Sequence, residues 1–316
     1  MTMKLAMVFP GQGSQSVGML KGYDGLPGID ELRLEAGQVL GDAFLKLLDE
    51  GPVEQLNLTV NTQPAMVTAA IAAYRAWRAL GGPEPSVVAG HSLGEYSALV
   101  AAGALTLKDA LPLVRFRAQA MQEAVPEGTG AMAAILGLDE KAAIEACAEA
   151  AQSEAVQAVN FNAPGQVVIA GHKAAVARAI EACKARGAKR AMPLPVSAPF
   201  HSSLMKPAGE KLRVYLEKVS LAAAKIPVVN NVDVKTESDP VKIKDALVRQ
   251  AASPVRWIET IRAMAAQGVT HVVECGPGKV LAGMVKRIDP ALQGMAAADR
   301  ALLEQALATI KGAEHA

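Results

Sequence analysis

The stretch "SVVAGHSLGEYSALVAAG", residues 86–103, sets a histidine and a serine between two glycines at the end of an apolar run. Val87, Val88 and Ala89 read as a short buried strand, and Leu93 to Ala102 reads as a helix that Gly103 stops. Between them, Gly90-His91-Ser92-Leu93-Gly94 fits the G-x-S-x-G elbow, a sharp strand-to-helix turn that exposes a serine hydroxyl. Glycine is required on both sides because a Cβ would clash within so tight a turn. The plainer reading makes Ser92 only a helix cap at a strand–helix corner. The five-residue pattern alone does not separate the two.

Working outward, strand and helix alternate. "KLAMVF" (4–9) is a strand feeding "PGQGSQ", and residues 61–77 form a helix with Thr62 as cap and Pro64 in the first turn. Residues 106–121 form another helix, opened by a Thr106-x-x-Asp109 capping box, which Pro112 should bend. That alternation implies a parallel sheet covered on both faces. Between about Gly130 and Val196 the rhythm becomes βαββαβ, the ferredoxin-like split unit. The expected fold is therefore α/β. Its parallel-sheet core, residues 1–128 and 197–316, is α/β-hydrolase-like, and residues 129–196 form an inserted ferredoxin-like subdomain. After the insertion, "KIPVVNNVDV" and "VTHVVECG" supply further core strands.

Composition excludes several functions. The 316 residues are 51% hydrophobic and 20% charged with formal net charge +1, which lacks the basic excess a nucleic-acid phosphate backbone demands. Only 3% are aromatic, too few for base-stacking platforms. Cys147, Cys183 and Cys275 are odd in number and widely spaced, reading as buried thiols of a reducing compartment rather than disulfides or a zinc site. No apolar run approaches a membrane span, and the N-terminus reads as a strand rather than a signal peptide. A cytoplasmic protein without metal is expected. "GQGSQS" has Ser16 where a dinucleotide fingerprint needs its third glycine, and "CGPGKVL" lacks the first glycine and the Ser/Thr of a phosphate loop. No tightly bound cofactor is expected, although both loops can bring backbone N–H groups close to a ligand.

A nucleophilic serine needs a base. Of five histidines, His315 lies at the C-terminus, His271 begins a buried strand, and His172 opens a surface helix. His91 adjoins Ser92, but neighbouring side chains on such a turn point apart. His201, in "PVSAPFHSSLM", stands where the insertion returns to the core, and the order serine then histidine agrees with the α/β-hydrolase arrangement. No Asp or Glu stands at an obvious strand end to orient it. The imidazole would then give its Nδ1–H to a backbone carbonyl, making a Ser–His dyad. A second anomaly is Arg117, which shares a helical stripe with Ala110, Val114 and Met121. Such an arginine either snorkels to water or offers a planar fork to a carboxylate inside a pocket. Arg115 falls on a more mixed face with Gln122 and is expected to be solvated.

"FPGQGSQ", "TQPA", "GHSLGEY", "LVRFRAQAM", "NFNAPGQVVIAG", "FH", "NNVD", "PVRW" and "GPGKVL" occur in that order. In this the chain resembles the malonyl-CoA:acyl carrier protein transacylases of bacterial type II fatty acid synthesis, over nearly its whole length. The resemblance implies a malonyl-Ser92 intermediate, with His201 moving the proton. It implies an oxyanion hole from the N–H groups of Leu93 and Gln12, Arg117 on the malonyl carboxylate, and the Gln250 carbonyl orienting His201. Gln63 and His91 would line the site, and Phe200, before His201, would crowd out a branched α-carbon. The small residues after Gln250 depart from many relatives and put local loop packing in doubt.

Implied partners are malonyl-CoA and other coenzyme A thioesters, and an acidic holo acyl carrier protein met by a monomer. Lys184 and Arg186 suit a helix C-terminus, while Lys189, Arg190, Lys286 and Arg287 are candidates for steering the carrier. The competing readings are an acyl thioesterase or esterase, a polyketide-pathway acyltransferase of other selectivity, and a non-catalytic acyl-binding module.

Overall fold

All of Leu5 to Phe9 is buried, the pattern of a parallel strand covered on both faces. In the computed structural model, which describes residues 3–196 and 198–314, this segment is strand β1 (Leu5–Phe9) at the middle of a larger sheet. The other strands are β2 (Val87–Gly90), β3 (Gly130–Leu136), β4 (Val156–Ala163), β5 (Gln166–His172), β6 (Arg190–Pro193), β7 (Val228–Val229), β8 (Thr236–Glu237), β9 (His271–Glu274) and β10 (Gln293–Ala296). The first sheet has the order β10-β9-β1-β2-β7-β8. It is parallel from β10 to β7, and β8 is antiparallel at the edge. Phe9 stands opposite Gly90 and Val8 opposite Glu274, so β1, β2 and β9 end together. The loops after them share one rim, where ligands of open α/β sheets bind.

The second sheet, β4-β5-β3-β6, is antiparallel throughout. One face, with Ala133, Ile135, Val167 and Ile169, packs against Ala143, Cys147, Val176, Ile180 and Cys183 of two helices. The other face, with Met132, Val159, Val168 and Ala170, packs against Phe200. Two register shifts interrupt β4, between Ala158 and Asn160 and between Phe161 and Ala163. Bulges of this kind re-aim side chains and end regular pairing. Here the freed backbone pairs with Val255: Val255 N–H donates to Val159 O at 2.8 Å, and Phe161 N–H to Val255 O at 3.0 Å. The small sheet is thereby tied to the rim of the large one.

The helices that frame these sheets and the rim include α1 (Thr59–Ala79), α2 (Gly94–Ala101), α3 (Leu107–Gln122), α4 (Glu140–Ala151), α5 (Lys173–Ala185), α6 (Pro240–Gln250), α7 (Trp257–Ala266) and α8 (Val280–Ile288). Helix α1 is apolar nearly all round and is enclosed by the core, with Ile71 and Trp77 buried. Each fully buried aliphatic side chain of this kind contributes about 1.5–3 kcal/mol.

Several expectations need correction. Helix α1 begins at Thr59, so Thr62 lies inside it; its hydroxyl donates to Leu56 O at 2.6 Å and Leu58 O at 3.1 Å instead of capping. Pro64 consequently sits beyond the first turn. Thr106 does cap α3, accepting from Asp109 N–H at 3.1 Å, and the helix continues through Pro112. The strand expected in "KIPVVNNVDV" is two residues long, because Asn230 and Asn231 turn the chain into β8. Arg115 is partly buried, its guanidinium 5.7 Å from the centre of the Phe44 ring. Ser197 and His315 lie outside the described residues.

Candidate active site

The elbow follows from close packing. A Cβ on Gly90 would fall 1.8 Å from the Gly94 carbonyl carbon, and one on Gly94 would fall 2.0 Å from Phe9 O. Only glycine lets α2 start this near to β1 and β2. The turn forces Ser92 into a left-handed backbone, φ +52°, which non-glycine residues rarely adopt. Asn231 clamps it: Ser92 N–H donates to Asn231 Oδ1, and Asn231 Nδ2 donates to Gly90 O, both at 2.7 Å. The neighbouring loop comes close as well, since a Cβ on Gly11 would fall 2.7 Å from His91 O.

His201, also left-handed at φ +66°, is buried with its Nε2 2.6 Å from Ser92 Oγ. Its Nδ1 lies 3.0 Å from the carbonyl of Gln250, the last residue of α6. A carbonyl only accepts, so Nδ1 carries the proton and Nε2 is free to accept from the serine hydroxyl. Burial first, and then the Arg117 charge, hold the imidazole down to a pKa of about 3.

Arg117 projects from α3 and is 2% exposed, which excludes snorkelling. Its Nη1 donates to Gln63 Oε1 at 2.9 Å; its Nη2 donates to Gln250 Oε1 at 3.1 Å and to Ser92 Oγ at 3.2 Å. Its guanidinium carbon is 5.4 Å from the centre of the Tyr96 ring. Among the described residues no carboxylate pairs directly with it. A buried cation satisfied only by neutral oxygens is costly unless an anion completes it.

Gln250 joins these groups. Beyond its contacts to Arg117 and His201, its Nε2 donates to Ser92 O at 2.9 Å and to Glu95 Oε2 at 2.8 Å. Glu95, on α2 and buried, also accepts from Asn231 N–H at 3.0 Å. His91 turns away from Ser92: its Nε2 lies 2.8 Å from Asn162 Oδ1 on β4, and its ring stands edge-on to Trp257 of α7. Gln12 is anchored by Thr59, whose hydroxyl donates to Gln12 Oε1 at 2.5 Å. Neither the Leu93 nor the Gln12 N–H meets an acceptor among the described residues. Phe200 packs at the seam of two clusters, the one that holds Met132 and Val159 and the one that holds Ala120 and Met205.

Ser92, His201, Arg117, Gln250 and Gln63 therefore meet in one place. Glu95, Asn231 and Asn162 join the network without having been singled out from the sequence. The docking candidates lie elsewhere. Lys189, Arg190, Lys286 and Arg287 are exposed, and Arg287 donates to Gln166 Oε1 at 2.8 Å and Pro164 O at 3.4 Å. Among the described residues no group of three or more His, Cys, Asp or Glu side chains comes together to hold a metal.

A serine hydrogen-bonded to a neutral imidazole at the rim of an α/β sheet, beside a buried guanidinium that no described carboxylate pairs with directly, is equipped to move an acyl group that carries an anion. The chain belongs to the acyl transferase domain family, whose model matches residues 6–301. More particularly, it is 55% identical over 305 residues to the malonyl CoA-acyl carrier protein transacylase of Salmonella typhimurium, spanning 96% of this chain and 99% of that protein. The acyl-carrier-protein S-malonyltransferase of Burkholderia pseudomallei superposes with a TM-score of 0.95 at 63% identity, covering 97% of this chain and 100% of that one. A malonyl-transacylase solved in complex with its type II polyketide synthase acyl-carrier protein gives 0.94 at 53% identity, covering 97% and 99%. The resemblance read from the ordered motifs thus extends along the chain.

Proposed function

We propose that this acyltransferase moves a malonyl group from malonyl-CoA to the phosphopantetheine thiol of an acidic holo acyl carrier protein, through a malonyl ester on Ser92. The observation that carries the reading is the buried Arg117 guanidinium 3.2 Å from the Ser92 hydroxyl. A fork so placed holds a carboxylate two carbons from the carbonyl that the serine attacks.

As Ser92 Oγ bonds to the thioester carbonyl carbon, its proton passes to His201 Nε2. The oxyanion is received by the free N–H groups of Leu93 and Gln12, the first at the N-terminus of α2. The C–S bond then breaks, and the departing thiolate takes the proton from His201. The second half reverses this: the carrier thiol gives its proton to His201, its sulfur attacks the ester, and Ser92 Oγ leaves and is reprotonated. The imidazolium is stabilised by the Gln250 carbonyl. The donor's carboxylate offsets the Arg117 charge that depresses His201, so the correct acyl group also strengthens the base. Gln63 holds the guanidinium, His91 braces the elbow through Asn162, and Phe200 narrows the pocket against branched acyl chains.

The same reading makes residues 1–128 and 197–316 an α/β-hydrolase-like core and residues 129–196 a ferredoxin-like insertion. The strand order β4-β5-β3-β6 supports the latter, being that of a βαββαβ unit. It further takes the protein to be a cytoplasmic monomer with no tightly bound cofactor; no described helix is long and apolar enough to cross a membrane.

Carrier steering is assigned to Lys189, Arg190, Lys286 and Arg287. Arg287 rests on the Pro164–Gln166 turn, and the Lys189 stem lies over Gly137, whose N–H donates to Gly165 O at 2.8 Å. The two basic pairs therefore flank the turn that comes after Asn162, the partner of His91. Reversing Lys189, Arg190 and Lys286 to glutamate is expected to raise the KM for carrier by roughly tenfold and to flatten its salt dependence. Loading from malonyl-CoA should not change. An unaltered KM and salt dependence would remove these residues from the interface.

The test of the function is malonyl-CoA turnover with and without holo carrier. Transfer predicts a stable Ser92 adduct that carrier discharges. Rapid release of malonic acid without carrier would make the protein a hydrolase, and absence of any adduct would make it a binding module.

A further inference from the structure

We infer that Glu95 is a positioning residue which, in the unloaded enzyme, supplies the anionic counterweight to Arg117 through Gln250 and gives up that role by taking a proton when the donor's carboxylate arrives. This role rests on the acyl-transfer reading and deepens it.

The geometry is a chain of single contacts. One oxygen of Glu95, Oε2, receives both Gln250 Nε2 at 2.8 Å and Asn231 N–H at 3.0 Å. Gln250 passes the contact on, its Oε1 accepting from Arg117 at 3.1 Å and its backbone carbonyl facing His201 Nδ1 at 3.0 Å. Asn231 holds the Ser92 N–H and the Gly90 carbonyl. Glu95 thus steadies nucleophile, base and cation without touching any of the reacting atoms.

A buried carboxyl one residue removed from a buried guanidinium balances it only while that guanidinium lacks a better partner. When a malonyl carboxylate pairs with Arg117, two anions share one cation, and the more distant one becomes easier to protonate. The proton comes from solvent and the carboxylate becomes a neutral acid, with no other bond changed. Burial already pushes Glu95 up to about 7, against the pull of Asn231, Gln250 and Arg117, with Asp233 adding to the rise.

The surrounding groups are few. From α3 comes Arg117; from the turn after β7 comes Asp233, which Arg249 of α6 pairs at 2.7 Å. Tyr96, on α2 itself, is pushed up to about 12 by burial, with Arg117 opposing and Glu95 adding. β1 and β2 carry no titratable side chain. The charges of α1, Arg75 and Arg78, stand three turns or more beyond Gln63, with Arg75 paired to Glu35 and Arg78 bonded to Gly82 O. His201 stays neutral throughout the neutral range, and His91 is held below its usual value by burial.

Linkage sets the sign. A loaded form that binds a proton more tightly than the free form loses affinity for its ligand as pH rises through the free-form pKa. Apparent affinity for malonyl-CoA, measured by quenched mass spectrometry of Ser92 loading, should fall about fivefold from about pH 6 to about pH 8, one pKa unit of coupling being a factor of ten over the whole titration. Acetyl-CoA shares the coenzyme phosphates but has no carboxylate, and should show no such fall. In Glu95→Gln the malonyl-specific slope should vanish. Independently of any variant, a pH-indicator dye should register proton uptake when wild-type protein near pH 7 is loaded with malonyl-CoA but not with acetyl-CoA. A malonyl slope retained in Glu95→Gln, or no proton uptake on malonyl loading, overturns the inference. A wild-type protein that forms no Ser92 adduct overturns the acyl-transfer reading instead.

Discussion

Replacing Arg117 with alanine is expected to lower malonyl transfer by on the order of 10²–10³-fold while sparing or improving acetyl transfer. Removing one partner of a buried, hydrogen-bonded ion pair costs about 2–5 kcal/mol, and each ~1.4 kcal/mol is a factor of ten in rate. With an acetyl donor there is no anion to lose. Deleting the guanidinium then removes a buried charge with which no described carboxylate pairs directly and which, after burial, is the second cause of the lowered His201 pKa. Gln63 and Gln250 each lose a donor in the variant, costing about 1–3 kcal/mol of stability per unsatisfied oxygen. Thermal unfolding must therefore accompany the kinetics, which are compared as the malonyl-to-acetyl ratio of kcat/KM. Equal losses for both donors would reduce Arg117 to a structural brace.

Ser92→Ala should abolish loading, with a fall of at least about 10⁴-fold and no malonyl adduct in the intact mass. His201→Ala should approach the same floor. The two together should be no worse than either alone, because Ser92 Oγ and His201 Nε2, 2.6 Å apart, act as one unit. Multiplicative losses would mean that His201 serves some step other than activation of Ser92. The depressed His201 pKa adds a pH condition: the base is neutral well below neutrality, so acetyl loading should be insensitive to His201 titration between about pH 5 and about pH 8. A His201-dependent fall in acetyl loading near pH 6.5 would contradict the neutral-imidazole account.

How much the sequence disclosed depends on how local each signal is. The elbow was legible because both glycines answer a steric demand within five residues, one that the clashes built at Gly90 and Gly94 bear out. Arg117 was legible because a charge on an apolar helical stripe breaks a period that needs no tertiary knowledge. The order βαββαβ was visible as a change of rhythm, and the strand order of the second sheet agrees with that reading. The short strands β8 and β10 were missed, because "TE" is too short to show an alternation and "QGMA" lacks the β-branched residues that mark strands; both are recruited by neighbours already in place.

The network behind the site was the least legible part. Gln250 works partly through a backbone carbonyl, an atom every residue owns, and it entered only through resemblance. Asn162 reaches His91 because β4 bulges, and nothing in "NFNAPGQ" announces a bulge. Asn231 and Glu95 lie 136 residues apart and meet only when β7 pairs with β2. Glu95 left one trace: a carboxylate in a helix whose other described residues are mostly buried and uncharged has nowhere polar to go except inward.

The central claim is that one buried guanidinium receives the donor's carboxylate while the serine beside it takes the carbonyl. A crystal structure of the malonyl-loaded enzyme tests this most directly. The account predicts an ester on Ser92 Oγ whose free carboxylate lies about 2.7–2.9 Å from the Arg117 Nη atoms, displacing at least one of the amide contacts they now make. A malonyl group with its carboxylate in solvent, and Arg117 still bound to Gln63 and Gln250, would contradict it.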